Sequence, residues 1–200
     1  MTDEAVSIVA GIPTGQEATA ARLYCDAFAA KLSPFLGPPE RAARALAPSL
    51  ATDRAIVAVR GGAVIGIAGF KVGGRGLFEP TVRQMIRAYG WSGPLRLLAL
   101  AVLDRREAPD SLLMDGIAVD AAARGLGIGT RLLAAIQDHA RALGRTSVRL
   151  DVIDTNPAAR RLYDRFGFVA ERTTGIGPLR IVFPFRATTT MRLAVDTAPP

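Results

Sequence analysis

Residues 124–130 read Arg124-Gly125-Leu126-Gly127-Ile128-Gly129-Thr130, preceded by an apolar strand-like run and followed by a long amphipathic helical pattern. Alternating glycines let a backbone approach an anion closely and adopt conformations that a Cβ forbids. The start of the following helix offers N–H groups without intrahelical partners and a partial positive charge. Arg124 adds a formal charge beside them, and the combination fits a diphosphate. A purely structural turn needs one glycine, and three are costly in chain entropy. A Walker loop is excluded, since no Lys-Ser/Thr follows the last glycine. A dinucleotide fingerprint is the serious rival, because Asp151 ends a strand at a suitable distance downstream. Against it, Thr130 stands where the third glycine of that pattern belongs, and the turn starts well after Val119 rather than directly off the strand. The remaining chain is also too short for the rest of a dinucleotide-binding sheet.

A second group of chemically capable residues lies downstream. Asn156-Pro157-Ala158-Ala159-Arg160-Arg161-Leu162-Tyr163 is followed by Phe166-Gly167-Phe168. Asn156 reads as a helix cap, Pro157 as the first helical residue and Gly167 as the stop. Tyr163 falls two helical turns after the cap, on the side shared by Ala159 and Phe166. A tyrosine with a pKa near ~10 keeps its proton at neutral pH yet can give it to a nearby thiolate. The helical pattern by itself favours a tyrosine packed against a sheet. Two carboxylates compete as a general base, Asp151 in the strand Val148–Ile153 and Asp115 in the mainly apolar strand Leu112–Val119. A carboxylate in such a strand needs a cavity or a partner. A salt bridge to one of the many arginines accounts for either as well as catalysis does.

The elements that must position these residues follow from periodicity and punctuation. A short strand fits Val6–Ile12. Thr14 and Glu17 have capping-box spacing, and Leu23, Tyr24, Ala27, Phe28 and Leu32 mark one face of a single helix. Pro38-Pro39-Glu40 opens a helix ending near Leu50. Ala55–Val59 and Val64–Val72 form a hairpin across Arg60-Gly61-Gly62. Residues 73–110 then read as a helical insertion, with helices over Glu79–Tyr89 and Pro94–Arg105. This insertion is expected to line the acceptor side of a cleft, or else to serve only as extra core packing. A helix from Gly129 to Leu143 turns Leu132, Leu133, Ile136, Ala140 and Leu143 inward, with Gly144 as its stop. Strands start at Phe168-Val169 and span Thr188–Val195. The pattern predicts one mixed α/β domain over residues 1–196 and a tail at 197–200.

The chain has 200 residues, half of them hydrophobic, which suits one globular domain. The formal charge is +7, and of the cationic side chains only Lys31 and Lys71 are lysines. Such a balance favours anionic partners, either nucleic acid or a phosphorylated cofactor. No basic run reaches five residues and aromatics are only 6%, which argues against a nucleic-acid platform. Cys25 and His139 are the single representatives of their types, which excludes an internal disulfide and a Cys/His zinc cluster. A nucleophilic triad would have to run through His139, which sits in a helical pattern beside Ile136 and Leu143 and reads as a packed or surface histidine. The opening Met1-Thr2-Asp3-Glu4 lacks a signal-peptide pattern, and Leu97–Leu103 is too short to cross a bilayer. A cytoplasmic protein without membrane contact is expected.

Residues 112–169 resemble the GNAT superfamily of acyl-CoA-dependent N-acyltransferases. The resemblance rests on Arg124, Gly127 and Gly129 after Ile117-Ala118-Val119, and on the Asn156–Tyr163 and Phe166–Phe168 motif in the same order and separation. It implies a central twisted, mostly antiparallel sheet whose two parallel strands splay apart at the coenzyme A site, with helices on both faces. It implies acetyl-CoA as acyl donor and no metal. The CoA diphosphate would rest on Gly125, Leu126, Gly127, Ile128, Gly129 and Thr130, and the pantetheine arm would pair along Ile117, Ala118 and Val119 as an added strand. Asn156 would contact the pantetheine as well as cap its helix. By the same resemblance Tyr163 would protonate the departing thiolate, and Asp151 would act through water on the amine. The acceptor, a small-molecule amine or a protein N-terminus, stays open, as do the acyl length and a homodimeric state. A CoA-binding module without turnover is the alternative.

Overall fold

The computed structural model describes residues 4–101 and 107–196. Seven strands form one open sheet, ordered β1 (Ser7–Ala10), β2 (Ala55–Arg60), β3 (Ala63–Lys71), β4 (Ser111–Val119), β5 (Ser147–Ile153), β7 (Ala187–Ala194) and β6 (Val169–Gly175). Every neighbouring pair is antiparallel except β4 with β5. That parallel pair shares a register only between Ser111–Leu113 and Ser147–Arg149, although β4 runs on to Val119 and β5 to Ile153. Beyond this short ladder the two strands diverge. The mostly antiparallel sheet with one splayed parallel pair is the architecture that the family resemblance implies.

Seven helices flank the sheet among the described residues: α1 (Glu17–Ala27), α2 (Ala29–Leu36), α3 (Pro39–Leu46), α4 (Val82–Tyr89), α5 (Gly93–Ala101), α6 (Ile128–Ala142) and α7 (Pro157–Phe166). On one face Leu132, Leu133 and Ile136 of α6 pack with Ala68, Phe70, Leu112, Met114 and Leu150, and Tyr163 of α7 joins them. The opposite face carries α1, whose Ala20 and Tyr24 meet Val57, Ile67 and Ala118. A third cluster binds α4 to α1–α3 through Cys25, Leu36, Leu46, Met85 and Tyr89. No helix among the described residues is long and apolar enough to cross a membrane.

The hairpin β2–β3 turns on Gly61 and Gly62, whose φ values of +58° and +76° make the mirror-image turn that matches strand twist. Other local expectations are revised. The helix expected from Thr14 through Leu32 is two helices broken at Phe28, which caps the end of α1 and the start of α2. The Thr14–Glu17 capping box does not form. Gln16 is the N-cap of α1, and its side-chain oxygen instead accepts from the Val64 N–H at 3.2 Å, pinning the helix start to β3. The helix expected to reach Leu50 stops at Leu46, where a 3₁₀ turn containing Pro48 takes over. Leu143 ends α6 at 41% exposure rather than pointing inward.

Within the insertion, α4 starts at Val82 rather than Glu79 because Thr81 and Gln84 form a reciprocal capping box. Helix α5 crosses α4 so closely that a Cβ on Gly93 would lie 2.5 Å from the Met85 carbonyl carbon. Arg96 of α5 donates to the Phe35 carbonyl and lies 4.6 Å above the Tyr89 ring. Residues 102–105 of the expected second helix lie outside the described residues, as does the tail at 197–200.

Candidate active site

The divergence of β4 and β5 opens a cavity of about 570 Å³ between the sheet, the α1–α2 junction, the start of α6 and one side of α7. Of the residues singled out from the sequence, Ile117, Ala118, Val119, Arg124, Gly125, Gly127, Ile128, Gly129, Thr130, Asp151, Asn156 and Tyr163 all line it. Leu126 does not, and its side chain is 56% exposed on the outside of the turn. Asp115 also lies off the cavity wall.

The three glycines of the turn do different work. Gly125 and Gly127 have φ values of +82° and +72°, and a Cβ on either would meet nothing within 4 Å, so backbone conformation and open approach define them. Gly129 is helical, and its missing Cβ makes room for Leu162, whose Cδ2 would lie 3.0 Å away. It therefore sets how closely α6 and α7 pack. The first bond within this helix is donated by Arg131 to the Gly127 carbonyl at 3.1 Å. The N–H groups of Ile128, Gly129 and Thr130 precede it and have no acceptor inside the helix. Arg124 is tethered by its Nε to the Val119 carbonyl at 3.3 Å, which keeps a positive charge at the end of β4. Three N–H groups, a helix start and a guanidinium make an anion cradle.

At the other end, α7 is aimed by Asn156, whose side-chain oxygen accepts from the Ala159 N–H at 3.0 Å, and by Gly167, left-handed at φ +106°. Two turns from the cap, Tyr163 is 4% exposed, with its ring centroid 5.6 Å from that of Phe168. It is thus a packed tyrosine that also forms part of the cavity wall. Asp151 of β5 stands opposite Thr190 of β7, its neighbours Leu150 and Val152 turned into the α6 core. Alternation places its carboxylate on the opposite face of the sheet from that core. Asp115 occupies a β-bulge, because the register between β3 and β4 slips between Gly69 and Phe70. Its carboxylate accepts from the Leu77 N–H at 3.1 Å and so holds the start of the insertion.

The single histidine and the single cysteine stay out of the cavity. The His139 ring lies tilted against Phe70 with centroids 4.6 Å apart, and burial, reinforced by the charge of Arg54, lowers its pKa. Cys25 is buried in α1, and desolvation pushes its thiol up to about 12. It is a neutral packing residue at physiological pH. Among the described residues no group of three or more His, Cys, Asp or Glu is placed to hold a metal.

The wall that sequence reasoning missed is formed by Ala27, Phe28, Ala30 and Lys31, where α1 meets α2, with Arg165 of α7. Their apolar members read as ordinary helix-face residues, and only the α1–α2 break gives them a second role. The insertion is not part of this wall. Helix α4 buries Met85 and Tyr89 against α1–α3 and α5 half-buries Leu97 and Leu100 there while Leu95 and Leu98 stay exposed, and no described residue between 73 and 110 lines the cavity. The expectation that they line the cleft is not met there.

Comparison with known proteins agrees with this architecture. The chain aligns along 98% of its length with yncA from Salmonella typhimurium, solved with its cofactor acetyl-CoA, at a TM-score of 0.62 and 17% identity, covering 97% of that chain. An N-acetyltransferase from Staphylococcus aureus Mu50 superposes at a TM-score of 0.61 and 20% identity, over 96% of this chain and 99% of that one. The ribosomal-protein-S18-alanine N-acetyltransferase of Escherichia coli gives a TM-score of 0.58 at 16% identity, over 98% and 97%. These likenesses concern the fold. No curated protein sequence matches the chain. The profile of the acetyltransferase (GNAT) family matches residues 21–168, which span the α1–α2 junction, the splayed strands, the glycine turn and α7. The chain belongs to the GNAT acetyltransferase family.

Proposed function

We propose that the chain transfers an acetyl group from acetyl-CoA to a primary amine by direct attack while both substrates are bound. The observation that carries this reading is the convergence on one cavity of a glycine turn at a helix start, a gap in a sheet, and the residues Tyr163 and Asp151. The residues present fit CoA. Gly125 and Gly127 put no side chain in the way of a diphosphate, and the divergence of β4 from β5 leaves an edge at Ile117 and Val119 for an extended amide-bearing arm. Asn156 adds a polar contact beside that arm. Bound there, acetyl-CoA supplies an acyl group activated as a thioester.

The chain's own residues then manage two protons. Asp151 takes one from the ammonium form of the acceptor, through a water molecule, leaving a neutral amine whose nitrogen forms the new bond to the acyl carbon. As the carbon–sulfur bond breaks, the sulfur leaves as a thiolate and takes the phenolic proton of Tyr163, and the second proton that the nitrogen sheds as the amide forms returns to the tyrosinate through water. Sheltering both exchanges from bulk water is the task of the α1–α2 wall. The small-amine and protein N-terminus classes of acceptor both satisfy this chemistry.

The test pairs calorimetric titration of CoA with an amine-library screen that follows free thiol released from acetyl-CoA. The expected result is CoA binding together with thiol release that depends on one class of amine. Binding without amine-dependent release would identify a silent CoA-binding module, and no binding at all would remove the cofactor reading.

A further inference from the structure

The α1–α2 junction forms one wall of the cleft. Phe28 interrupts the helix there with φ −104° and ψ 19°, and its ring turns onto β4. It lies so close to the strand that a Cβ on Gly116 would sit 2.0 Å from the ring's Cζ and 2.6 Å from Cε1. Gly116 follows Asp115 in the bulge, where β4 slips its register against β3. The ring is braced from behind. Tyr24 stacks on it at 4.3 Å between centroids, and Phe78 meets Tyr24 edge-on at 5.3 Å. Phe28 and Gly116 line the same cavity as Asp151 and Tyr163.

We propose that Phe28, seated on Gly116, is the residue that limits the length of the acyl group. The inference rests on the CoA reading above. With the thioester between Tyr163 and Asp151, an acyl chain that lengthens along the cavity wall meets a braced aromatic ring rather than open space. Two-carbon acyl groups stop short of it. Longer groups must displace the ring, and displacing it disturbs both the Tyr24 stack and the α1–α2 break. The glycine is the complementary half of the device, because any side chain at 116 would evict the ring from its seat.

Equilibrium affinity tests this without knowledge of the acceptor. Calorimetric titrations with free CoA and with acetyl-, propionyl-, butyryl- and hexanoyl-CoA are compared across variants. In the native protein, affinity should fall at least tenfold between acetyl- and hexanoyl-CoA. In Phe28→Ala that fall should disappear or reverse, since each newly buried methylene contributes roughly fourfold in affinity. Phe28→Leu should give a smaller change in the same direction, and it serves if the alanine variant folds poorly. In the Phe28→Ala background, Gly116→Ala refills part of the space and should restore discrimination against hexanoyl-CoA, which general loosening of the fold would not do. Equal affinities along the series in the native protein, or unchanged discrimination in both Phe28 variants, would overturn the gate while leaving CoA binding in place. No affinity of the native protein for free CoA would overturn the cofactor reading and the gate with it.

Discussion

The glycine turn and the α1–α2 junction line one cavity, yet they hold their shapes by different means. At the turn the backbone does the work. Gly125 and Gly127 are left-handed, the N–H groups of Ile128–Thr130 precede the first intrahelical bond, and Arg124 hangs from the Val119 carbonyl. At the junction side chains do it, through the Tyr24–Phe28 stack, the Phe28–Gly116 contact and the cluster behind them. A site made of backbone restricts which residue types can occupy it. A wall made of side chains asks only for apolar volume of about the right shape. The first is therefore suited to a constant ligand feature, the second to whatever must vary between enzymes sharing that feature.

The hardest test of this division lies where the two meet, at Tyr163 and Asp151, the proposed acid and base. Tyr163→Phe keeps the ring and its packing on Phe168, and Asp151→Asn keeps size. Each should lower turnover by roughly 100-fold to 10,000-fold while CoA affinity holds within a few-fold. Rate measurements beside calorimetry check both. Asp115→Asn should leave the acidic limb of the pH–rate profile in place, since Asp115 is engaged with the Leu77 N–H; if that variant alone loses the limb, the base is Asp115.

A smaller effect is expected at the turn itself. Gly127→Val places a β-branched residue at φ +72° and should lose at least about tenfold in CoA affinity, together with roughly 1–3 kcal/mol of stability from backbone strain. Thermal melts and titration separate the two losses, and unchanged affinity in the folded variant would break the assignment. On the other side, Gly93→Ala drives a Cβ into the Met85 backbone and should cost about 1–3 kcal/mol of stability while sparing CoA affinity. The same melts read it, and an equal loss of CoA affinity would show that the two regions are not independent.

The smallest effect is a pH dependence. His139 is held neutral by burial, so its folded pKa lies below the unfolded value of about 6.5. Above that value both states are neutral and the residue contributes no pH dependence. As pH falls through it, the unfolded chain takes up the proton first, and stability is lost until the folded pKa is passed. Replacing His139 with Gln should flatten the decline in stability between neutral and mildly acidic pH, as denaturant titrations would show.

The same contrast explains what could be read from the residues alone. The order of elements along the chain, the capped α7 and about half of the cavity wall were legible, because Gly, Pro and Asn at special backbone positions leave a trace in sequence, and the splayed pair followed from the family resemblance. Gly129 was legible as a glycine but not as a packing glycine, since only the nearness of Leu162 distinguishes the two. The break at Phe28 was not legible. Leu23, Tyr24, Ala27, Phe28 and Leu32 satisfy a helical stripe, and it is a contact with a strand nearly ninety residues away that turns Phe28 aside. The start of α1 was misread for a similar reason, because Gln16 spends its side chain on Val64 rather than on its own helix. Both errors come from tertiary contacts overriding a sound local pattern.

The brevity of the parallel ladder between β4 and β5 bears on how the molecule opens and closes. Three residues on each side join a leaf of β1–β4 to a leaf of β5, β7 and β6, so the sheet has a seam. Such seams divide a protein into units that exchange amide hydrogens at different free energies. With a pantetheine arm in the gap, the ligand becomes an extra rung between the leaves. Amide protection should then rise on both sides of the seam at once, at Ile117–Val119 and along β5, and the two leaves should unfold as one cooperative body.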